Sequence, residues 1–113
     1  MIIGGTASTG KTRMLINICN EKDGVFVTGE ETSATLNNMG LETIIYELTN
    51  VRFESVEDLK NYIYKDYKEE HWSDIYLCID NLPLFVKGID YRNIHNISTK
   101  NLSFTYNLPC ILD

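Results

Sequence analysis

Residues 1–12 read MIIGGTASTGKT, and the reading of this stretch decides the fold. Residues 1–4 are apolar or small and carry no side-chain charge, which predicts a short buried strand. Residues 5–12, GTASTGKT, then have the form of a phosphate-binding loop. Gly5 and Gly10 let the backbone fold tightly and turn its N–H groups inward, toward phosphate oxygens. The ammonium of Lys11 is placed to reach the β- and γ-phosphates, and the hydroxyl of Thr12 to ligate Mg²⁺. A helix predicted over residues 11–20 starts here and adds its positive dipole end. The candidate nucleotide-binding set is therefore Gly5, Thr6, Ala7, Ser8, Thr9, Gly10, Lys11, Thr12 and Arg13, with ATP and Mg²⁺ as the expected ligands. Lys11, just after Gly10, is expected to be exposed.

Working outward, strand-like and helix-like stretches alternate, with no repeat, linker or low-complexity segment. That pattern predicts a single α/β domain over residues 1–113, a three-layer sandwich around a mostly parallel five-stranded sheet. Further strands are expected at 25–28, 43–48 and 75–79. The first helix is expected to bury Met14, Leu15, Ile18 and Cys19. A short helix over 32–39 should close at Gly40. Ser55 and Asp58 form a capping box for a helix that carries Val56, Leu59, Ile63 and Tyr67 on one face and runs to about Glu70. Residues 82–98 read as loop with a helical turn or two. Residues 99–106 read as a helix, and 110–112 as the fifth strand.

Two further motifs bear on chemistry. Residues 75–79 are apolar throughout and end on Asp80, which fits an aspartate held at a buried strand's tip to support Mg²⁺. The competing reading is a turn aspartate ahead of Asn81 and Pro83. Residues 25–33, VFVTGEETS, place Glu30 and Glu31 at the tip of a neighbouring strand, facing a ligand crevice. One of them can orient and deprotonate an attacking water; alternatively both acids cap the short helix that follows.

Other features restrict the function. Ten Lys and Arg against sixteen Asp and Glu give a net charge of -6, which does not support nucleic acid as the partner of a broad surface. The acid excess lies between Glu54 and Asp74. Cys19, Cys78 and Cys110 are far apart in sequence and read as small buried residues of a cytoplasmic protein, without metal or disulfide. No stretch is long and apolar enough to span a membrane. Tyr62, Tyr64, Tyr67 and Trp72 read as packing residues rather than a base-stacking surface, and His71 and His95 as surface histidines. Arg13, Arg52 and Arg92 read as solvated surface, though any of them could serve a neighbouring subunit. Abundant Asn, Ile and Tyr with few Ala and Pro suit an AT-rich coding sequence, as in many phages.

GTASTGKT, VFVTGEETS and IYLCIDNLPLF together resemble the RecA-like ATPases of the P-loop NTPase class, on the branch with KaiC, RadA and the replicative hexameric helicases. The stretch KNLSFTYNLPCIL is similar to that family's helix, Asn-x-Pro turn and central strand. The resemblance implies a strand order of 3-2-4-5-1. It implies ATP hydrolysis with Glu30 or Glu31 as base, Lys11 acting on the phosphates, and Thr12 and Asp80 at the metal. It also implies slow turnover in the absence of an arginine finger. With nothing after Asp113, the first strand would lie at an open sheet edge, so the expected working form is a homo-oligomer or a complex with a protein partner. Two rival readings are a non-hydrolysing regulatory module and a small-molecule kinase, because MIIGGTASTGK also resembles cobinamide-kinase-type enzymes.

Overall fold

Short apolar strands that alternate with helices can lie side by side in parallel, each joined to the next by a crossover. The computed structural model, which describes residues 1–5, 9–89, 94 and 96–107, has this form. The elements are β1 (Ile2–Gly5), α1 (Thr9–Lys22), β2 (Val25–Thr28), α2 (Ser33–Asn38), β3 (Ile44–Glu47), α3 (Val56–Tyr64), β4 (Leu77–Asp80), α4 (Leu82–Phe85) and β5 (Leu102–Asn107). All five strands join one sheet in the order β3-β2-β4-β5-β1, and every neighbouring pair is parallel. The resemblance implied a 3-2-4-5-1 order with residues 110–112 as the fifth strand, whereas here Leu102–Asn107 takes that place.

Period-two alternation gives the sheet two buried faces. Val25, Val27, Leu77, Ile79, Leu102 and Phe104 pack with Leu59 and Ile63 of α3 and with Leu82 and Phe85 of α4. The intervening Phe26 and Cys78 pack on the other face with Leu15, Ile16 and Cys19 of α1 and Leu36 of α2. Two cores separated by one sheet make three layers. Among the described residues, no helix is long and apolar enough to cross a membrane.

Several elements differ from expectation. Residues 99–106 do not form a helix: Leu102–Asn107 is the fifth strand, pairing β4 on one side and β1 on the other. Leu102 and Phe104 enter one core, while the buried Ser103 and Thr105 face α1, so the alternation prevails over the pull of the downstream Pro109. The strand expected at 110–112 lies outside the described residues. On α1 the buried residues are Leu15, Ile16 and Cys19, whereas Met14 is 51% exposed. The expected face was one position off, because the stripe follows Thr12, Leu15, Ile16 and Cys19 at helical spacing.

The helix expected to reach Glu70 ends at Tyr64. Carrying it further would set Asp66, Glu69 and Glu70 at the negative end of the helix dipole. Instead the Trp72 indole N–H donates to the carbonyls of Tyr64 and Tyr67 at 2.9 and 3.1 Å, satisfying groups that a helix end leaves open. At the start of the helix the Ser55 hydroxyl accepts from the Asp58 amide, as expected. Tyr62, Tyr64, Tyr67 and Trp72 pack against the core. Cys19 and Cys78, distant in sequence, are free thiols that meet between α1 and β4. The hydrogen bond to Cys19, together with burial, pushes the Cys78 thiol far up.

The corrected stripe on α1 has a measurable consequence. Ile16→Ala empties a filled core position and is expected to cost about 2–5 kcal/mol. Met14→Ala removes an exposed side chain and should change stability by less than about 0.5 kcal/mol. Urea unfolding of the two variants checks the assignment; equal losses would restore the original face.

Candidate functional site

In a parallel sheet, residues at the carboxyl ends of the strands share one crevice. Here that edge gathers the ends of β1, β2, β4 and β5. Asp80 is the last residue of β4, and its side chain points to the α1 face, two positions on from Cys78. Its carboxylate accepts from two hydroxyls on different elements. The Thr12 hydroxyl of α1 donates to Asp80 Oδ2 at 3.1 Å, and the Thr105 hydroxyl of β5 donates to Asp80 Oδ1. Asp80 is thus a strand-end residue and not part of a loose turn. Sixty-eight positions of chain separate Thr12 from Asp80.

Lys11 is buried, at 8% exposure, contrary to the expectation that it is exposed. Its ammonium donates to the Tyr106 carbonyl of β5 at 3.0 Å, so the side chain lies across the sheet edge instead of extending into solvent. Burial pushes its pKa down from the ordinary 10.5, while the charges of Asp80 and then Glu30 work against that shift. Asp80 and Glu30 are therefore both within electrostatic reach of the same ammonium. Thr105 and the Tyr106 carbonyl escape a reading of residues 99–106 as a helix; the alternation of Leu102 to Tyr106 was the signal that could have found them. Gly4 was also missed. It pairs with Tyr106 across β1 and β5, and a Cβ there would collide with the Tyr106 ring, so only glycine lets β5 lie this close.

Glu30 is exposed and Glu31 half-buried at the tip of β2. The Thr28 hydroxyl shapes this turn, accepting from the Glu31 amide at 3.1 Å and lying 3.2 Å from the Glu31 carbonyl. Neither acid caps α2. Thr32 does so, accepting from the Thr35 amide at 3.2 Å, and Glu47 of β3 accepts from the Ser33 amide. Of the two, Glu30 acts electrostatically on Lys11. A cavity of about 190 Å³ adjoins Glu30, lined also by Gly29, Asn50, Arg52 and Phe85. Arg13 and Arg52 are exposed.

Gly10, Lys11, Thr12 and Arg13 all lie in the first turns of α1, with Thr9 at its first position and Gly5 closing β1. Thr6, Ala7 and Ser8 lie outside the described residues, as do Arg92 and His95. The donor set suits Mg²⁺: a hydroxyl and a carboxylate are hard oxygen ligands, and this ion takes one or two protein oxygens and completes its shell with water and phosphate. Among the described residues there is no group of three or more His, Cys, Asp or Glu able to hold a metal ion by themselves. Asn81 follows Asp80 and is 7% exposed; its carboxamide oxygen has no hydrogen-bond partner among the described residues.

The electrostatics of Lys11 give a pH test. The unfolded chain holds the lysine proton more tightly than the folded one, so this group's contribution to stability rises as pH climbs from the lowered folded value to 10.5. Asp80→Asn removes the larger of the two opposing charges and moves the folded pKa further down. NMR titration of the Lys11 side chain in wild type and variant measures this. An unchanged or raised value in Asp80→Asn would refute the coupling.

The chain matches no known protein-family profile and no solved structure. It is 32% identical over 103 residues, 86% of its length, to a subunit of the ATP-dependent helicase/deoxyribonuclease of Clostridium botulinum (strain Loch Maree / Type A3). The match spans 8% of that much longer protein.

Proposed function

We propose that the chain is a RecA-like P-loop domain that binds ATP with Mg²⁺ and hydrolyses it slowly, working in the cytoplasm with a protein partner or as a homo-oligomer. The observation that carries this reading is the convergence of Lys11, Thr12, Asp80 and Thr105 at the carboxyl ends of β1, β4 and β5. A lysine, a hydroxyl and a strand-end carboxylate beside the start of a helix are the parts that grip a triphosphate and its metal. The Clostridium botulinum relative is one subunit of an ATP-dependent enzyme, which supports both nucleotide use and action within an assembly.

In this reading Gly5 to Arg13 wrap the phosphates. Lys11 exchanges the Tyr106 carbonyl for a phosphate oxygen. Thr12 and Asp80 hold Mg²⁺, which when bound neutralises charge on the β- and γ-phosphates. Thr105 keeps Asp80 oriented. Glu30, exposed at the β2 tip, takes a proton from water as the water oxygen bonds to the γ-phosphorus and the bond to the β-phosphate oxygen breaks. Glu31, its amide fixed to Thr28, is the second candidate for that role. The outer edge of β1 is unpaired among the described strands, and such an edge accepts a strand from another chain. A partner seated there is the source expected for an arginine to speed turnover.

Three measurements test the proposal. Lys11→Ala should weaken binding of a fluorescent ATP analogue at least about tenfold while circular dichroism stays unchanged; equal affinity would end the nucleotide assignment. Glu30→Gln should keep Mg·ATP binding and lower hydrolysis about a hundredfold or more. If wild type binds ATP without turnover at any protein concentration, the regulatory-module reading replaces the ATPase. Sedimentation velocity with and without Mg·ATP should show assembly, with the rate per molecule rising alongside it; a strict monomer at full activity would exclude the oligomer.

A further inference from the structure

The amino-terminal end of the sheet carries a second pocket, of about 360 Å³, lined by Lys60, Tyr64, Trp72, Ser73, Ser98, Lys100 and Asn101. It lies on the α3 face, and along β5 about 13 Å separate Asn101 from Thr105 at the phosphate-binding end (four residues at about 3.3 Å each). Its composition runs against the rest of the chain. In a protein of net charge -6, two lysines and two serine hydroxyls surround an aromatic pair. The rings of Tyr64 and Trp72 stack at 5.8 Å and 26°.

These walls are fixed before any ligand arrives. The Trp72 indole is pinned by its two hydrogen bonds to the carbonyls of Tyr64 and Tyr67, at and just beyond the end of α3. The Asn101 amide donates to the Ser73 carbonyl at 2.8 Å, tying the approach to β5 to the approach to β4. The Lys60 side chain is only 15% exposed, and its contact with Glu57 is long, at 3.7 Å, to a carboxylate that is 75% exposed. Its stem is therefore packed while its charge is loosely engaged. Lys100 is exposed.

We propose that this pocket is a second ligand site, for a compound joining a flat aromatic ring to a phosphate, as a nucleoside monophosphate does. The ring stacks on the Trp72–Tyr64 pair. The phosphate lies between the Lys60 and Lys100 ammonium groups and accepts from the hydroxyls of Ser73 and Ser98. A volume of 360 Å³ falls at the lower end of the range of about 300–1,000 Å³ for small-ligand pockets, which suits one nucleotide. The overall negative charge opposes a long strand, so the ligand is a free mononucleotide or the phosphorylated end of a strand. The proposal does not depend on the phosphate-binding loop being active.

Trp72 is the only tryptophan of the chain, so its fluorescence reports the site directly. AMP, adenosine, inorganic phosphate and a trinucleotide with and without a 5′-phosphate are titrated without Mg²⁺ into wild type, Lys11→Ala and Lys100→Glu. AMP is expected to quench Trp72 at least tenfold more tightly than adenosine or phosphate. That affinity should persist in Lys11→Ala and fall at least tenfold in Lys100→Glu, an exposed change that leaves the core intact. Lys60→Ala should give a similar loss if it folds. Tight binding of the 5′-phosphorylated trinucleotide identifies a strand end as the source, and tight binding of AMP alone identifies the free nucleotide. No quenching by AMP, equal affinity for adenosine, quenching lost in Lys11→Ala, or quenching retained in Lys100→Glu would each overturn the proposal.

Discussion

The carboxylate of Asp80 is the junction on which the site depends. It accepts from Thr12 and from Thr105, so it links α1, β4 and β5 at one point. A buried or half-buried carboxylate needs partners of this kind, since burial without them is costly. Meeting that need places the side chain after Gly10-Lys11 beside the end of the central strand. The Lys11 bond to the Tyr106 carbonyl then fixes the adjacent position on β5. Three chain segments far apart in sequence are thereby brought together within one crevice.

Much of this was legible in the sequence, for physical reasons that differ by region. β2 and β4 are apolar on both faces, and only a strand covered by helices on both sides reads that way; from there the parallel sheet followed, while the order was implied only by the resemblance to the RecA-like ATPases. The lysine-threonine pair after Gly10 read as the start of a helix, and α1 begins at Thr9. The third of the chain after Asp80 was harder. Leu102 to Tyr106 has the period of a strand but sits before a proline that also suits a helix end. Choosing the helix hid Thr105 and the Tyr106 carbonyl, both parts of the site. The α1 stripe was misread by one position because Met14 and Ile16 are equally apolar; only packing against Phe26 and Cys78 distinguishes them. The early end of α3 depends on the Trp72 indole reaching back to Tyr64 and Tyr67, a tertiary contact without a local signal.

The two ends of the sheet differ in chemistry. At the carboxyl ends, polar side chains converge from separate strands and are held by one another. At the amino ends, the Trp72 and Asn101 side chains donate to backbone carbonyls. A sheet whose strands all point the same way permits this division, because one set of loops can carry chemistry while the opposite set carries a separate surface.

The pairing of β1 with β5 also bears on how the molecule forms. Ile2 aligns with Phe104, and Lys11 meets Tyr106 across 95 positions of chain. Contacts this distant in sequence raise the contact order and slow folding, since the entropy of closing the whole chain is lost before the contacts form. During synthesis β1 and α1 emerge ahead of β5, which occupies the slot between β1 and β4. The crevice between the carboxyl ends of β1 and β4 is therefore completed only when β5 is inserted.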